Sequence, residues 1–152
     1  MGEKMINTQH VSVMRDECIE LLSPAITSHD KPVVIDATLG LGGHAESLLN
    51  KFPHLVVIGI DRDKQAIEIA SERLSQFGER FISHHSVFDQ ISEIAKQHGH
   101  PRVQGILFDL GVSSLQLDQS ERGFSYAHDA ELDMRMDKSQ GKTAAPIGSK
   151  DR

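Results

Sequence analysis

A chain of 152 residues suits one domain, and at this size folding typically buries about two thirds of the surface. Its single cysteine, Cys18, excludes an internal disulfide and a thiolate metal cage, in keeping with a reducing cytosol. A net charge of −6 argues against indiscriminate binding to phosphate backbones, and with no signal-peptide core in MGEKMINTQH and no apolar run near the roughly 20 residues of a membrane span, the chain is expected to be soluble and cytoplasmic.

Met14, Cys18, Leu21 and Leu22 fall at i, i+4, i+7 and i+8, the face of a first helix. Ser23-Pro24 is expected to end it, because a residue before proline avoids the helical region. Residues 32–36, ending in Asp36, form a short apolar run fit for a buried strand. A Gly-rich turn over 39–43 follows, and Ala45, Leu48, Leu49 and Phe52 then repeat the helical spacing. Residues 55–60 read as a second strand, and Ala66, Ile67, Ala70, Leu74 and Phe77 as one face of a helix closed by Gly78. A weaker third strand is expected at 81–83, a helix carrying Ile91, Ile94 and Ala95 after it, and a fourth strand at 103–110. This alternation implies right-handed βαβ units and an α/β fold with a parallel sheet. Beyond Gly111 the periodicity fades and no fifth strand is visible.

The stretch Asp36-Ala-Thr-Leu-Gly40-Leu-Gly42-Gly43-His44-Ala45 is the most informative one. Gly40, Gly42 and Ala45 satisfy G-x-G-x-x-G/A between a strand and a helix, where glycines let the backbone approach a ligand. An acid is expected about 20 residues on, at the end of the second strand, to take ribose hydroxyls, and Asp61 stands there. A dinucleotide would bring a pyrophosphate onto the helix N-terminus. Asp36 would repel it, whereas the cationic amino group and sulfonium of S-adenosylmethionine suit a carboxylate, so that cofactor is preferred to NAD.

Asp109 follows the fourth strand, which puts Asp36, Asp61 and Asp109 on one rim, beyond the carboxyl ends of the strands where open parallel sheets bind ligands. Asp109 could also serve as a cap for a following helix. The histidines at 84, 85, 98 and 100 have no partners at ligand spacing and are expected to be solvated, so no metal is expected. No nucleophile elbow or nucleotide-triphosphate loop is present. The six acids between 118 and 137, set against Arg122 and Arg135, read as a solvated loop.

These strings, together with Asp109-Leu-Gly-Val-Ser-Ser-Leu-Gln116-Leu-Asp118, Glu121-Arg-Gly-Phe-Ser125 and Leu132-Asp-Met-Arg-Met-Asp137, resemble the 16S ribosomal RNA cytosine-N4 methyltransferases from His10 to about Ala145. The resemblance implies a Rossmann-like class I methyltransferase fold, with S-adenosyl-L-methionine as cofactor and the small ribosomal subunit as partner. By motif, cofactor contacts fall on Gly42, Gly43, His44, Asp61, Phe88, Asp109 and Gln116. Phe88 would wall the adenine, or serve as plain core. Asp109 is the candidate catalytic acceptor for the cytosine amino group, or a cofactor contact alone. Leu115 stands where proline is expected in many relatives.

On this reading residues 1–145 form an incomplete S-adenosylmethionine-binding methyltransferase domain, truncated after about four strands, and 146–152 a divergent polar tail. Relatives are expected to continue past the alanine pair at 144–145 into an inserted helical region and further strands. The chain is therefore expected to match their first half, with an inactive cofactor-binding fragment as the alternative to an active enzyme. An NAD-dependent oxidoreductase is the remaining alternative, although it leaves the Asp109 motif without a role. With later strands absent, the fourth strand is expected to be an exposed apolar edge prone to self-association.

Overall fold

The computed structural model describes residues 14–125 and 129–144. The start of the family resemblance, at His10 to Val13, and the tail at 146–152 lie outside them. Helix α1 (Arg15–Thr27) leads into strand β1 (Val33–Asp36), α2 (Gly43–Lys51), β2 (Val56–Asp61), α3 (Lys64–Leu74), β3 (Phe81–His85), α4 (Ile91–Gln97), β4 (Gly105–Leu107) and α5 (Ser114–Asp118). The four strands form one sheet in the order β3-β2-β1-β4, parallel throughout. This is the order of the first half of a doubly wound Rossmann-like sheet, and it confirms the α/β expectation.

Burial follows the alternation of side chains along each strand. Val34 and Val57 pack under α1, α2 and α3 with Ile26, Leu48, Leu49 and Leu74. Val33, Ile35, Ile58 and Ile60 face the other way, onto Ile94 and Ala95 of α4. With all four residues buried, β1 is the central strand that its continuous apolar run implies. Two strand glycines admit close packing: a Cβ on Gly59 would fall 2.6 Å from Leu39, and one on Gly105 would fall 2.5 Å from Leu22 of α1.

Three expectations are corrected. Helix α1 does not stop at Ser23 but runs through Pro24 to Thr27. The carbonyl that Pro24 cannot bond is that of Glu20, which stands at an exposed position, and burial of Ile26 beyond the proline favours the added turn. The apolar face of α1 is accordingly Ile19, Leu22 and Ile26, while Leu21 is 81% exposed. Strand β4 has three residues rather than eight. Before it, the Gln104 side chain accepts from the Val33 N–H at 2.7 Å, and after it the Asp109 N–H turns to the Thr38 hydroxyl at 2.6 Å. Finally, His84 and His98 are not solvated: both are half-buried, their rings meet edge to face at 5.7 Å, and burial pushes the His84 pKa below the usual range.

Candidate functional site

Each strand of the sheet delivers its last residues to the same rim. Asp36 closes β1 with 1% of its surface exposed, one oxygen accepting from the Thr38 N–H at 3.3 Å and the other, Oδ2, without a partner. Burial, opposed by that one hydrogen bond and reinforced by the neighbouring Asp61 and Asp109 carboxylates, pushes its pKa up to about 7. Near neutral pH the carboxyl is therefore divided between its two forms, a weaker barrier to anions than a fixed charge would be. Its unpartnered oxygen is closed off from solvent beneath the rim.

The turn after β1 is held from below. Leu39, 3% exposed, drops into the core, its N–H reaching the Ile60 C=O at 2.9 Å while its own C=O accepts from Gly42 at 2.9 Å. Gly42, at φ 81, caps α2. A Cβ there would sit 2.9 Å from Leu74 and 3.4 Å from Ala70, so this glycine makes room for α3. Gly40, at φ 52, is the open one, since a Cβ on it would meet nothing nearer than the Thr38 C=O at 4.0 Å. Gly43 begins α2, and His44 is buried within that helix.

Asp61 ends β2 with both oxygens engaged by backbone: Oδ2 accepts from the Gly40 N–H and Oδ1 from the Asp63 N–H, each at 2.8 Å. Burial raises its pKa, with those donors opposing the rise. The carboxylate is thus aimed before any ligand arrives, and each oxygen retains acceptor capacity. Phe88 opens the turn Phe88–Gln90 beyond β3. It is 48% exposed and packs edge to face on Phe108 at 5.8 Å, so the pair forms an apolar wall on the rim and Phe88 is not plain core. The Asp109 side chain is exposed, and its backbone is tied to the β1 turn by Thr38.

Gln116 sits differently from a ligand-facing amide. It lies in α5 at 4% exposure, closes a capping box with Ser113, and donates to Asp63 Oδ2 at 3.2 Å. Asp63 is the N-cap of α3 and is ion-paired to Arg122 at 2.7 Å. Thr38, Asp63 and Arg122 are what sequence reasoning missed. Asp63 carried a signal, an acid immediately before a helical period; Arg122, in a polar stretch, carried none. Beyond the ends of β2 and β3 a cleft of about 680 Å³ opens between Arg62, His85 and Ser86 on one side and Met134, Arg135 and Asp137 on the other. Among the described residues no helix is long and apolar enough to cross a membrane.

A ribosomal RNA small subunit methyltransferase H of Kocuria rhizophila is 56% identical over 137 residues, covering 90% of this chain and 42% of that protein. Its counterpart in Beutenbergia cavernae is 55% identical over 138 residues, covering 91% and 41%. The chain thus spans about two fifths of the length of these relatives. A solved rRNA methylase from Streptococcus thermophilus superposes with a TM-score of 0.47 at 22% identity, over 61% of this chain and 54% of that one. The profile of the MraW methylase family matches residues 7–150, and the chain belongs to that family.

Proposed function

We propose that this chain binds S-adenosylmethionine and forms the cofactor half of an enzyme that methylates N4 of a cytidine in 16S ribosomal RNA. The observation that carries the reading is Asp61, a carboxylate at a strand end held by two backbone N–H groups beside a turn whose Gly40 leaves open space. The residues fit that cofactor. Asp61 would accept from the ribose hydroxyls, and the Phe88 and Phe108 pair would flank the adenine. Bound there, the cofactor supplies an electrophilic methyl group on sulfur.

The cytosine amino group is a poor nucleophile, because its lone pair is delocalised into the ring. An acceptor near it helps localise that pair, and Asp109, exposed on the rim, is the candidate. Holding both partners in line contributes on the order of 7–11 kcal/mol. The base must be unstacked to be reached, which favours a single-stranded or loop region of the RNA.

A second reading, binding without transfer by these 152 residues alone, is favoured by the exposure of Ile106 on β4 and of Phe108 and Leu110 just after it. Calorimetric titration with S-adenosylhomocysteine against NADH tests the cofactor: heat with NADH alone sinks the proposal. Methyl transfer to small ribosomal subunits lacking the modification then separates the two readings, with turnover within tenfold of a full-length relative supporting the first and binding without turnover the second.

A further inference from the structure

The Asp63–Arg122 pair joins two parts of the rim that no motif connects. Both side chains are 3% exposed, with Arg122 Nη2 2.7 Å from Asp63 Oδ2. Exposed ion pairs contribute little, but removing one member of a buried pair strands the other as an uncompensated charge. On one side of this pair lies the ribose acid. Asp63 caps α3 through Gln65 at 3.1 Å, and its own N–H is the donor that fixes Asp61 Oδ1. On the other side lies the far wall of the cleft. The same Arg122 Nη2 donates to the Met136 C=O at 2.7 Å, and the Arg122 C=O accepts from the Met134 N–H at 2.9 Å. Contact there is tight, since a Cβ on Gly123 would fall 2.3 Å from the Glu131 C=O. Met134 itself is held at φ 57, a conformation that a non-glycine residue keeps only when its surroundings impose it.

We propose that Arg122 is a positioning residue that locks the turn 61–63, which carries the Asp61 carboxylate and the cleft-lining Arg62, to segment 131–136, so that the two walls of the cleft are held as one unit. For its effect on ligand affinity this rests on the cofactor reading above. For the coupling of the two walls it does not. Without the guanidinium, the buried Asp63 carboxylate must reach water or a proton. The turn 61–63 opens to let it, and Asp61 loses its Asp63 N–H donor. Segment 131–136 loses its anchor in the same event. A residue that merely capped or filled space would release one wall and leave the other.

The test is amide hydrogen exchange on the full chain, comparing Arg122→Gln with wild type at Asp63 and Met134 and using the β2 amides as internal reference. Protection is expected to fall by the same factor at both amides while β2 stays protected, and affinity for S-adenosylhomocysteine to fall about tenfold, the loss of one charge-assisted contact. Arg122→Lys, which keeps the charge, should restore most of both. Loss at Met134 alone, or unchanged protection at both, overturns the proposal. Should Arg122→Gln fail to fold, Arg122→Lys is read on the same comparison, where unequal loss at the two amides overturns it. A wild-type chain that binds no S-adenosylhomocysteine overturns the cofactor reading, and the exchange comparison still decides Arg122.

Discussion

Asp61 accepts two backbone N–H groups, so its removal costs more than a ligand contact. Asp61→Ala also leaves the Gly40 and Asp63 donors unpaired and loosens the turn. A charged acceptor to ribose hydroxyls is worth roughly 1.5–3 kcal/mol, and the expected fall in affinity for S-adenosylhomocysteine is roughly 10- to 100-fold by calorimetry. Far-UV dichroism should stay native, because the core lies on either side of the strand. Asp36 makes a prediction about pH. Its pKa rises from 3.8 to about 7 on folding, so the folded chain keeps a proton that the unfolded chain has released. Between about pH 4 and pH 7 the native state binds more protons, and stability therefore falls as pH rises through that window, by up to about 1.4 kcal/mol per pH unit, then levels off. Asp36→Asn should flatten the slope and exceed wild type in Tm at pH 8. An equal slope in both proteins would remove Asp36 as its source.

At the level of elements, the sequence was most readable where one physical signal acted alone. The apolar run of β1 and the period of α2, with Ala45, Leu48 and Leu49 buried, were legible because both faces of the strand and one face of the helix meet a core. Helix α1 was misread because the local penalty at Pro24 competes with burial of Ile26, and tertiary packing won. The length of β4 was overstated because apolar residues continue to Leu110 while the backbone leaves the ladder for Thr38, a partner 71 residues away that no local pattern reveals. The candidate site divided in the same way. Gly40 and Asp61 were visible in spacing, whereas the second glycine of the motif, Gly42, turned out to face Leu74. Asp63 and Arg122 meet across 59 residues of sequence, the difference of their numbers, so their pairing was not legible. The exposed β4 carries its own prediction. Ile106 is 43% exposed on a strand whose outer edge pairs with no other strand among the described residues, the arrangement that recruits another strand. The 152-residue chain should associate with itself in sedimentation as concentration rises, and Ile106→Lys should hold it monomeric. A wild-type chain that stays monomeric at high concentration would overturn self-association through this edge.

For the molecule as a whole, the strand order has a consequence in time. In β3-β2-β1-β4, β1 and β2 each pair with their immediate successor, and β4, the last to be made, must travel back to the far side of β1. A nascent chain can build β1, β2 and β3 once residue 85 has emerged, closing only short loops. Docking β4 closes a separation of 71 residues, between Thr38 and Asp109, and closure entropy grows with loop length. The rim is thus assembled in two stages: Asp36 and Asp61 come with the early sheet, and Asp109 arrives with the last strand. Pulse-labelled exchange during refolding should show the β2 amides protected before that of Asp109, and on the ribosome Asp61 would stand in place while the rest of the rim was still being translated.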